Sequence, residues 1–182
     1  MKRAIIVPAD LADAALGDLK AWLAISTARE DAALAGLLRA ALDMCEGFTG
    51  RMPLAAQCEE ILPGSARWQS LRTRPVQAIT QVEALSVIGG REMLAIADYA
   101  IELDADGTAR LRLTGQRAAA RIAVRFTAGL APDWASLPDG LRHGVLRLAA
   151  HHYREREGPG AAPLPPAAVA ALWRPWRRMR LA

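Results

Sequence analysis

Apolar residues recur at helical spacing near both ends of the chain. The spacing predicts four helices, over residues 11–24, 30–47, 138–156 and 166–173. The second helix follows Thr27-Ala28-Arg29-Glu30, which has the pattern of a capping box: the threonine accepts a backbone hydrogen bond and the glutamate reaches back. We expect each helix to bury one apolar stripe. The stripe of the long C-terminal helix consists of Leu141, Val145, Leu148 and His152.

Between about residues 57 and 127 the apolar period shortens to two, which is typical of strands with one buried face. Gly89-Gly90 and Asp104-Ala105-Asp106-Gly107 predict two hairpin turns inside this region. The predicted strands are Gln57–Leu62, Trp68–Leu71, Ile79–Leu85, Glu92–Ile96, Tyr99–Leu103, Ala109–Leu113 and Arg121–Phe126. We interpret the region as a small antiparallel β element.

The order of helices, strands and helices predicts an α+β fold that is mainly helical. The expected architecture is a helical bundle with two N-terminal helices and one long plus one short C-terminal helix. The antiparallel β element is inserted into this bundle at about 57–127. A chain of 182 residues can bury a core of its own. We expect residues 1–157 to form one domain, and residues 158–182 to add a Pro/Gly loop, the short helix and a basic C-terminal arm.

The net charge of +4 is concentrated at the C-terminus. Residues 158–182 contain no acidic residue, and their four arginines account for the whole excess. The candidate partner-binding residues are these arginines and two neighbouring tryptophans: Trp173, Arg174, Trp176, Arg177, Arg178 and Arg180. Aromatic and arginine side chains are common anchors of protein interfaces. Alternatively, the tryptophans cover the bundle while the arginines face water, or the arginines contact DNA phosphates without sequence preference.

Residue patterns for catalysis and for metal binding are weak. The turn Asp104–Gly107 lacks the glutamate that a calcium loop needs at its twelfth position. His151 and Glu155 stand one helical turn apart without a second pair of ligands. The neighbouring carboxylates Glu59 and Glu60 are expected on the surface. We therefore predict no catalytic residues, no cofactor and no metal site, and a protein that is not an enzyme.

No feature of the chain predicts export or a membrane anchor. The apolar residues of the N-terminus end at Pro8, which is too short for a signal peptide. No apolar run reaches the length of a membrane span. Cys45 and Cys58 have neither the number nor the spacing of a disulfide framework or a zinc site. We expect a soluble protein that is made in the cytoplasm and has no membrane partner.

Several local patterns follow one another in a fixed order along the chain. They are Ala40–Arg51 with Thr49-Gly50-Arg51 at its end, Leu71–Ile79 with Pro75-Val76, Val124–Gly129, Leu137-Pro138, Leu146–Glu157 and Leu172–Arg178. Each pattern alone is common. Their order and spacing over residues 11–180 resemble the head–tail connector, or adaptor, proteins of tailed double-stranded DNA phages, prophages and gene transfer agents. Trp176 departs from this resemblance, because that family usually has tyrosine there.

The resemblance implies a structural protein of a virion or phage-like particle, located at the head–tail junction and made in the bacterial cytoplasm. Such proteins form a homo-oligomeric ring, commonly of twelve subunits, beneath the portal protein. The ring extends the DNA channel and provides the docking surface for a tail or stopper protein. Non-specific contact with DNA in the channel is a second role open to the four C-terminal arginines, since their charges can bind phosphates weakly. On this interpretation, the C-terminal arm docks on the portal.

Two other classes stay open at this point. A small basic DNA-binding or regulatory protein would use the arginine-rich tail, bind duplex DNA in a salt-sensitive way as a monomer, and form no ring. A hydrolase would need a polar pocket, which the sequence does not indicate.

Overall fold

Strands and helices separate into different parts of the computed structural model, which describes residues 3–86, 89–114, 119–155 and 165–177. The chain divides into two compact units. The β unit consists of residues 1–9 and 55–129, and the helical unit consists of residues 10–54 and 130–182. Each unit is therefore assembled from two separate stretches of the sequence.

The described part of the β unit contains eight strands. They are β1 (Arg3–Val7), β2 (Ala56–Pro63), β3 (Gln69–Ser70), β4 (Val76–Leu85), β5 (Arg91–Met93), β6 (Tyr99–Leu103), β7 (Ala109–Leu113) and β8 (Arg121–Ala128). Five of them form a sheet in the order β1-β2-β8-β4-β5, and three form a second sheet in the order β3-β7-β6. Every pair of neighbouring strands is antiparallel.

The two faces of the five-stranded sheet differ in polarity. On β2, Cys58 and Leu62 are buried, and their partners Phe126 and Ile122 on β8 are buried as well. These pairs share one face because side chains alternate along a strand. Glu59 pairs with Arg125 on the opposite face. The apolar face forms the core of the β unit, and the polar face carries a set of charged side chains.

The described part of the helical unit contains four α-helices. They are α1 (Ala12–Leu23), α2 (Asp31–Thr49), α3 (Asp139–Arg154) and α4 (Ala167–Trp173), followed by a 3-10 turn at Arg174–Trp176. A second 3-10 turn, Ile96–Asp98, belongs to the β unit. The core of the helical unit is formed by the buried stripes of these helices, which include Leu19, Leu34, Leu38, Leu141, Val145, Leu148 and Val169.

The end of α2 shows why the sequence stops the helix there. The Thr49 hydroxyl donates to the Cys45 carbonyl oxygen at 2.7 Å and accepts from the Arg51 N–H at 3.2 Å. Gly50 follows with φ of 70°, a left-handed conformation that glycine adopts without strain. Its N–H donates to the Glu46 carbonyl oxygen at 2.8 Å. Thr49-Gly50-Arg51 is therefore a helix terminator.

The prediction of a capping box at the start of α2 is wrong. Glu30 occupies the N-cap position, and no side-chain capping bond is formed there among the described residues. The Glu30 carboxylate instead accepts a short hydrogen bond from the Tyr153 hydroxyl of α3. A tertiary contact has replaced the local one.

The prediction of a mainly helical fold is also wrong. Helices account for 37% and strands for 30% of the described residues, so the fold is a mixed α+β fold with a five-stranded antiparallel sheet. The β region is larger than a small insertion because β1 adds the N-terminal segment to it. Arg3, Ala4 and Ile5 pair with Glu60, Glu59 and Cys58, more than fifty positions away. Within the residues described, no helix is long and apolar enough to cross a bilayer.

Candidate interaction surfaces

Trp173 fixes the C-terminal helix α4 to the helical unit. Its side chain is 0% exposed, and its indole N–H lies 3.4 Å from the Leu141 carbonyl oxygen of α3. Gly144 makes room for the indole, because a Cβ at that position would lie 2.1 Å from Trp173 Nε1. The Phe48 ring of α2 packs against Trp173 with a centroid distance of 6.1 Å. Both α2 and α3 therefore hold the tryptophan in place.

The residues after Trp173 lie at the surface of the helical unit. Pro175 lies in the 3-10 turn, where the missing proline N–H stops the α-helix from continuing. Arg174 and Arg177 are exposed, and Trp176 is half-buried. The Arg177 guanidinium lies over the Phe48 ring at 5.5 Å, in cation–π geometry. The C-terminal turn (residues 174–177) thus presents two cations and one aromatic ring from a fixed backbone.

Four of the six candidate partner-binding residues therefore lie together in the structure. Trp173, Arg174, Trp176 and Arg177 lie together at the end of α4, with Trp173 inside the unit and the others at its surface. Arg178 and Arg180 lie outside the described residues. Docking of this set on a partner stays a prediction.

A polar cluster that the sequence pattern does not predict lies on the charged face of the five-stranded sheet. Arg91 of β5 donates to both carboxylate oxygens of Glu59 on β2, at 2.7 and 3.0 Å. It also donates to Glu83 of β4 at 3.0 Å. Arg125 of β8 donates to Glu59 at 3.1 Å. We call these four residues the sheet ion cluster; it joins strands β2, β8, β4 and β5.

The cluster is partly exposed to solvent. The carboxylate side chains of Glu59 and Glu83 are 10% and 12% exposed, whereas Arg91 and Arg125 are 40% and 39% exposed. The hydrogen bonds from Arg91 and, next, from Arg125 hold the pKa of Glu59 below its usual range, against the opposing effect of burial. The hydrogen bonds that Arg91 makes to Glu59 and, next, to Glu83 raise the pKa of Arg91. Glu59 and Arg91 are thus charged near neutral pH, and the cluster is a brace between strands.

The prediction that Glu59 and Glu60 lie on the surface is wrong. As whole residues, Glu59 and Glu60 are 8% and 2% exposed. Their side chains face opposite sides of the sheet. Glu60 accepts hydrogen bonds from the Thr73 N–H, the Thr73 hydroxyl and the Arg72 N–H, at 2.9, 2.7 and 3.0 Å. A carboxylate can be buried when its oxygens have such donors, and periodicity alone does not reveal them.

Replacing Glu59 with glutamine tests the brace. Because the folded pKa is lowered, Glu59 contributes stability at pH values above its unfolded pKa, and this contribution is lost as pH falls through the folded value. We expect Glu59→Gln to lower the free energy of unfolding by about 1–2 kcal/mol at neutral pH, since the exposed arginines can be solvated. The variant should also show a flatter loss of stability below pH of about 5. Urea unfolding at several pH values measures both effects.

Glu102→Gln is the matched control for this prediction, because Glu102 pairs with Arg110 at 3.5 Å at the surface and is 47% exposed. It should change stability by less than about 0.5 kcal/mol. If the free energy of unfolding fell equally with decreasing pH in wild type and in Glu59→Gln, the result would contradict the assigned role of the cluster.

The remaining polar candidates have structural explanations. Asp104–Gly107 forms the predicted hairpin turn: the Gly107 N–H donates to the Asp104 carbonyl oxygen at 2.9 Å, and Gly107 has φ of 77°. His151 Nε2 lies 2.9 Å from Glu155 at the end of α3. Burial raises the pKa of the Cys45 thiol to about 12, so it is protonated at neutral pH. Within the described ranges, no three His, Cys, Asp or Glu side chains are grouped so as to hold a metal ion.

Comparison with known proteins gives a likeness that extends over the whole chain. No family model and no curated protein matches the sequence. Among solved structures, the chain is similar to a protein in the neck of an empty GTA particle computed with C6 symmetry. The TM-score is 0.79 at 26% identity, covering 100% of this chain and 98% of that one.

Two further structures agree. The chain is similar to a protein in the virion of a native gene transfer agent (GTA) particle, with a TM-score of 0.77, 26% identity and coverages of 100% and 98%. It is also similar to a protein in the neck of a native GTA particle computed with C12 symmetry, with a TM-score of 0.74, 27% identity and coverages of 98% and 97%. The resemblance to head–tail connector proteins that the sequence predicts is confirmed by these matches.

Proposed function

We propose that this chain is a structural subunit of the head–tail connector in the neck of a phage or gene transfer agent particle. The observation that carries the proposal is the end-to-end likeness to proteins of GTA necks, at 26–27% identity. An alignment that leaves out almost nothing of either chain means that both units and their order are shared. The protein would then act through surfaces that hold its neighbours in the particle, and its role would be structural instead of enzymatic.

The finer proposal is a homo-oligomeric ring of twelve subunits beneath the portal protein. The ring would extend the DNA channel and offer a docking surface to a tail or stopper protein. Necks computed with C6 and C12 symmetry support a rotationally symmetric arrangement. A ring of one kind of subunit closes through heterologous contacts, so each subunit must offer two different surfaces that fit each other.

We also propose that the C-terminal arm, within residues 158–182, binds the portal. Trp173 anchors it from inside the helical unit, and Arg174, Trp176 and Arg177 are presented at the surface. Because the turn is already fixed, less conformational entropy is lost when a partner binds. Arginine suits an acidic partner surface, since its planar guanidinium binds carboxylates in a bidentate way. Arg178 and Arg180 would extend the same basic surface.

A truncation tests the arm without removing its anchor. A chain that ends after Trp173 keeps the buried indole but loses residues 174–182. We expect its incorporation into portal-bearing capsids to fall at least about ten-fold, because about 1.4 kcal/mol of lost binding is enough for that factor. Incorporation is measured by quantitative mass spectrometry of purified particles. Urea unfolding should show that the truncation lowers the free energy of unfolding less than removal of the Trp173 side chain does.

A charge-reversal pair provides the matched comparison. Arg174→Glu with Arg177→Glu should reproduce the defect of the truncation. Arg147→Glu with Arg154→Glu, at exposed arginines of α3, makes the same change in net charge and should leave incorporation near wild type. Equal incorporation of all these chains would contradict portal docking by the arm, although the connector role would stand if the chain were still found in the neck.

The comparisons do not favour the alternative of a small basic DNA-binding or regulatory protein. Contact with channel DNA is compatible with a connector, and it would be weak and salt-dependent because only a few arginines are available for phosphates. Tight duplex binding by the isolated monomer, together with its absence from purified particles, would reverse this preference.

A further inference from the structure

The C-terminal turn is held by side chains of two different helices. The Arg177 guanidinium lies 5.5 Å from the centroid of the Phe48 ring, which belongs to the last turn of α2. Trp176 lies against α3, because a Cβ added to Gly140 would be 3.6 Å from its indole nitrogen. The Arg177 N–H donates to the Arg174 carbonyl oxygen at 3.1 Å and closes the turn. Both the backbone and the side chains of the turn therefore have defined positions.

The Phe48 ring connects the buried and the exposed parts of the C-terminal segment. It packs against the buried Trp173 indole at a centroid distance of 6.1 Å and an interplanar angle of 51°. The same ring contacts Arg177, which is exposed. Phe48 itself is half-buried and directly precedes Thr49, whose hydroxyl takes part in ending α2. A ring that is fixed by the core and by the helix end can hold an exposed side chain in one place.

Contact with the Phe48 ring leaves the hydrogen-bond donors of Arg177 available. A guanidinium has five N–H donors, and a phenyl ring attracts the cation through its π face without supplying an oxygen or nitrogen acceptor. In the part of the chain that the structure describes, the Arg177 side chain forms no ion pair and donates no hydrogen bond. Arg177 is thus held in place and is still able to bind a carboxylate in a bidentate way.

We propose that Phe48 is a positioning residue for the C-terminal arm: its ring holds the Arg177 guanidinium in the place where an acidic surface of the portal binds it. This inference rests on the proposed docking of the arm. Phe48 itself does not touch the portal on this interpretation; it acts through Arg177. Arg174 provides the internal comparison, because it is exposed and has the same charge but contacts no aromatic ring among the described residues.

The size of the expected effect follows from the rotamer freedom of arginine. A long side chain that moves freely in the unbound protein loses this freedom when it binds a partner, and the loss weakens binding. A side chain that is already ordered avoids the loss, which is equivalent to a factor of about three to ten in affinity. Removal of the Phe48 ring should therefore weaken docking by about this factor, although the charge of the arm is unchanged.

Nuclear magnetic resonance of the full chain tests the contact without any partner. Protons above the face of an aromatic ring resonate upfield, so the Cδ protons of Arg177 should lie upfield of those of Arg174. Phe48→Leu keeps an apolar side chain against Trp173 but has no π face, and it should abolish this shift. Phe48→Tyr keeps the π face and should preserve the shift. Arg177 resonances that are the same in wild type and in Phe48→Leu would overturn the inference.

Incorporation into portal-bearing capsids tests what the contact does. We expect Phe48→Leu and Arg177→Gln each to lower incorporation about three- to ten-fold. The double variant should be no lower than Arg177→Gln alone, because Phe48 acts through Arg177. Combined with Arg174→Gln, Phe48→Leu should instead multiply the two losses, and Phe48→Tyr alone should stay within about two-fold of wild type. Losses that also multiply for Phe48→Leu with Arg177→Gln would overturn the inference, since Phe48 would then act only through its packing on Trp173.

Two further chains make the result decisive. If circular dichroism shows that Phe48→Leu does not fold, Phe48→Met replaces it in both experiments, because methionine is flexible enough to fill the space against Trp173. The chain that ends after Trp173 separates this inference from the proposed docking. A truncation defect without a Phe48→Leu defect overturns the positioning role of Phe48 alone, whereas normal incorporation of the truncated chain refutes docking by the arm. Absence of the wild-type chain from necks would refute the connector role itself.

Discussion

Trp173→Ala is expected to lower the free energy of unfolding by about 3–5 kcal/mol, the range found when a large aromatic side chain is removed from a protein core. The indole is completely buried between α2 and α3, and its N–H faces the Leu141 carbonyl oxygen. Alanine would leave a cavity that Gly144 cannot fill, because glycine has no side chain. Urea unfolding, followed by circular dichroism, measures the change.

The matched control is Trp176→Ala, three residues further on. Trp176 is half-buried and follows the end of α4, so its removal should cost about 1 kcal/mol or less. Trp173→Phe should be intermediate, because it keeps an aromatic ring but loses the donor to Leu141. Equal costs for Trp173→Ala and Trp176→Ala would contradict the assignment of Trp173 as the anchor of the C-terminal segment.

This distinction changes how the C-terminal residues should be tested for binding. The sequence places Trp173 and Trp176 in one aromatic and basic pattern, and both are typical interface anchors by residue type. Their burial separates them, because Trp173 lies inside the helical unit. A defect in assembly caused by Trp173→Ala would therefore report loss of folding as much as loss of docking. Variants at Arg174, Trp176 and Arg177 report on docking itself.

Local periodicity predicted most of the elements. The helices α1 to α4 begin and end within two residues of the predicted boundaries, and β6 and β7 have the predicted bounds. These segments follow a period that is encoded within ten to twenty residues of sequence. Turns and helix ends could also be predicted, because Gly107 and Thr49-Gly50 determine the backbone geometry at their own positions. The resemblance to connector proteins depends on such turn and terminator residues.

Pairings between distant segments could not be predicted from the sequence. β1 is a short apolar run without alternation, and its partner strand lies more than fifty residues away. Glu30 belongs to a capping pattern, yet its carboxylate bonds to Tyr153 across 123 positions. The sheet ion cluster joins Glu59 to Arg125 across 66 positions. Each of these contacts depends on tertiary structure, and the pairing of β1 with β2 explains why the sequence underestimated the β content.

The family-like patterns coincide with positions where the backbone needs a particular residue. Gly129, at the end of β8, has φ of 150°, and its N–H donates to the Pro75 carbonyl oxygen at 2.9 Å. Gln77 donates to the Gly129 carbonyl oxygen at 2.8 Å. The patterns Leu71–Ile79 and Val124–Gly129 thus meet in the β unit. Their spacing in sequence is therefore tied to a contact within the fold.

Glu60→Ala is expected to lower the free energy of unfolding by about 3 kcal/mol, because it would leave buried donors without an acceptor. Three donors converge on the Glu60 carboxylate: the N–H groups of Arg72 and Thr73 and the Thr73 hydroxyl. Thr73 is 5% exposed, so water cannot easily replace the lost oxygens. These bonds hold the segment that leads from β3 into β4, and we expect faster hydrogen exchange at the amides of residues 72 and 73.

Glu59→Ala, at the neighbouring position, is the matched comparison and should cost only about 1–2 kcal/mol. The two glutamates are consecutive on β2 and differ in their partners. Glu59 binds arginines that are about 40% exposed and can turn toward water, whereas Glu60 binds backbone groups that cannot move. Glu60→Gln should fall between the two, since its amide oxygen can still accept from Thr73. A smaller cost for Glu60→Ala than for Glu59→Ala would show that the buried backbone donors find other acceptors.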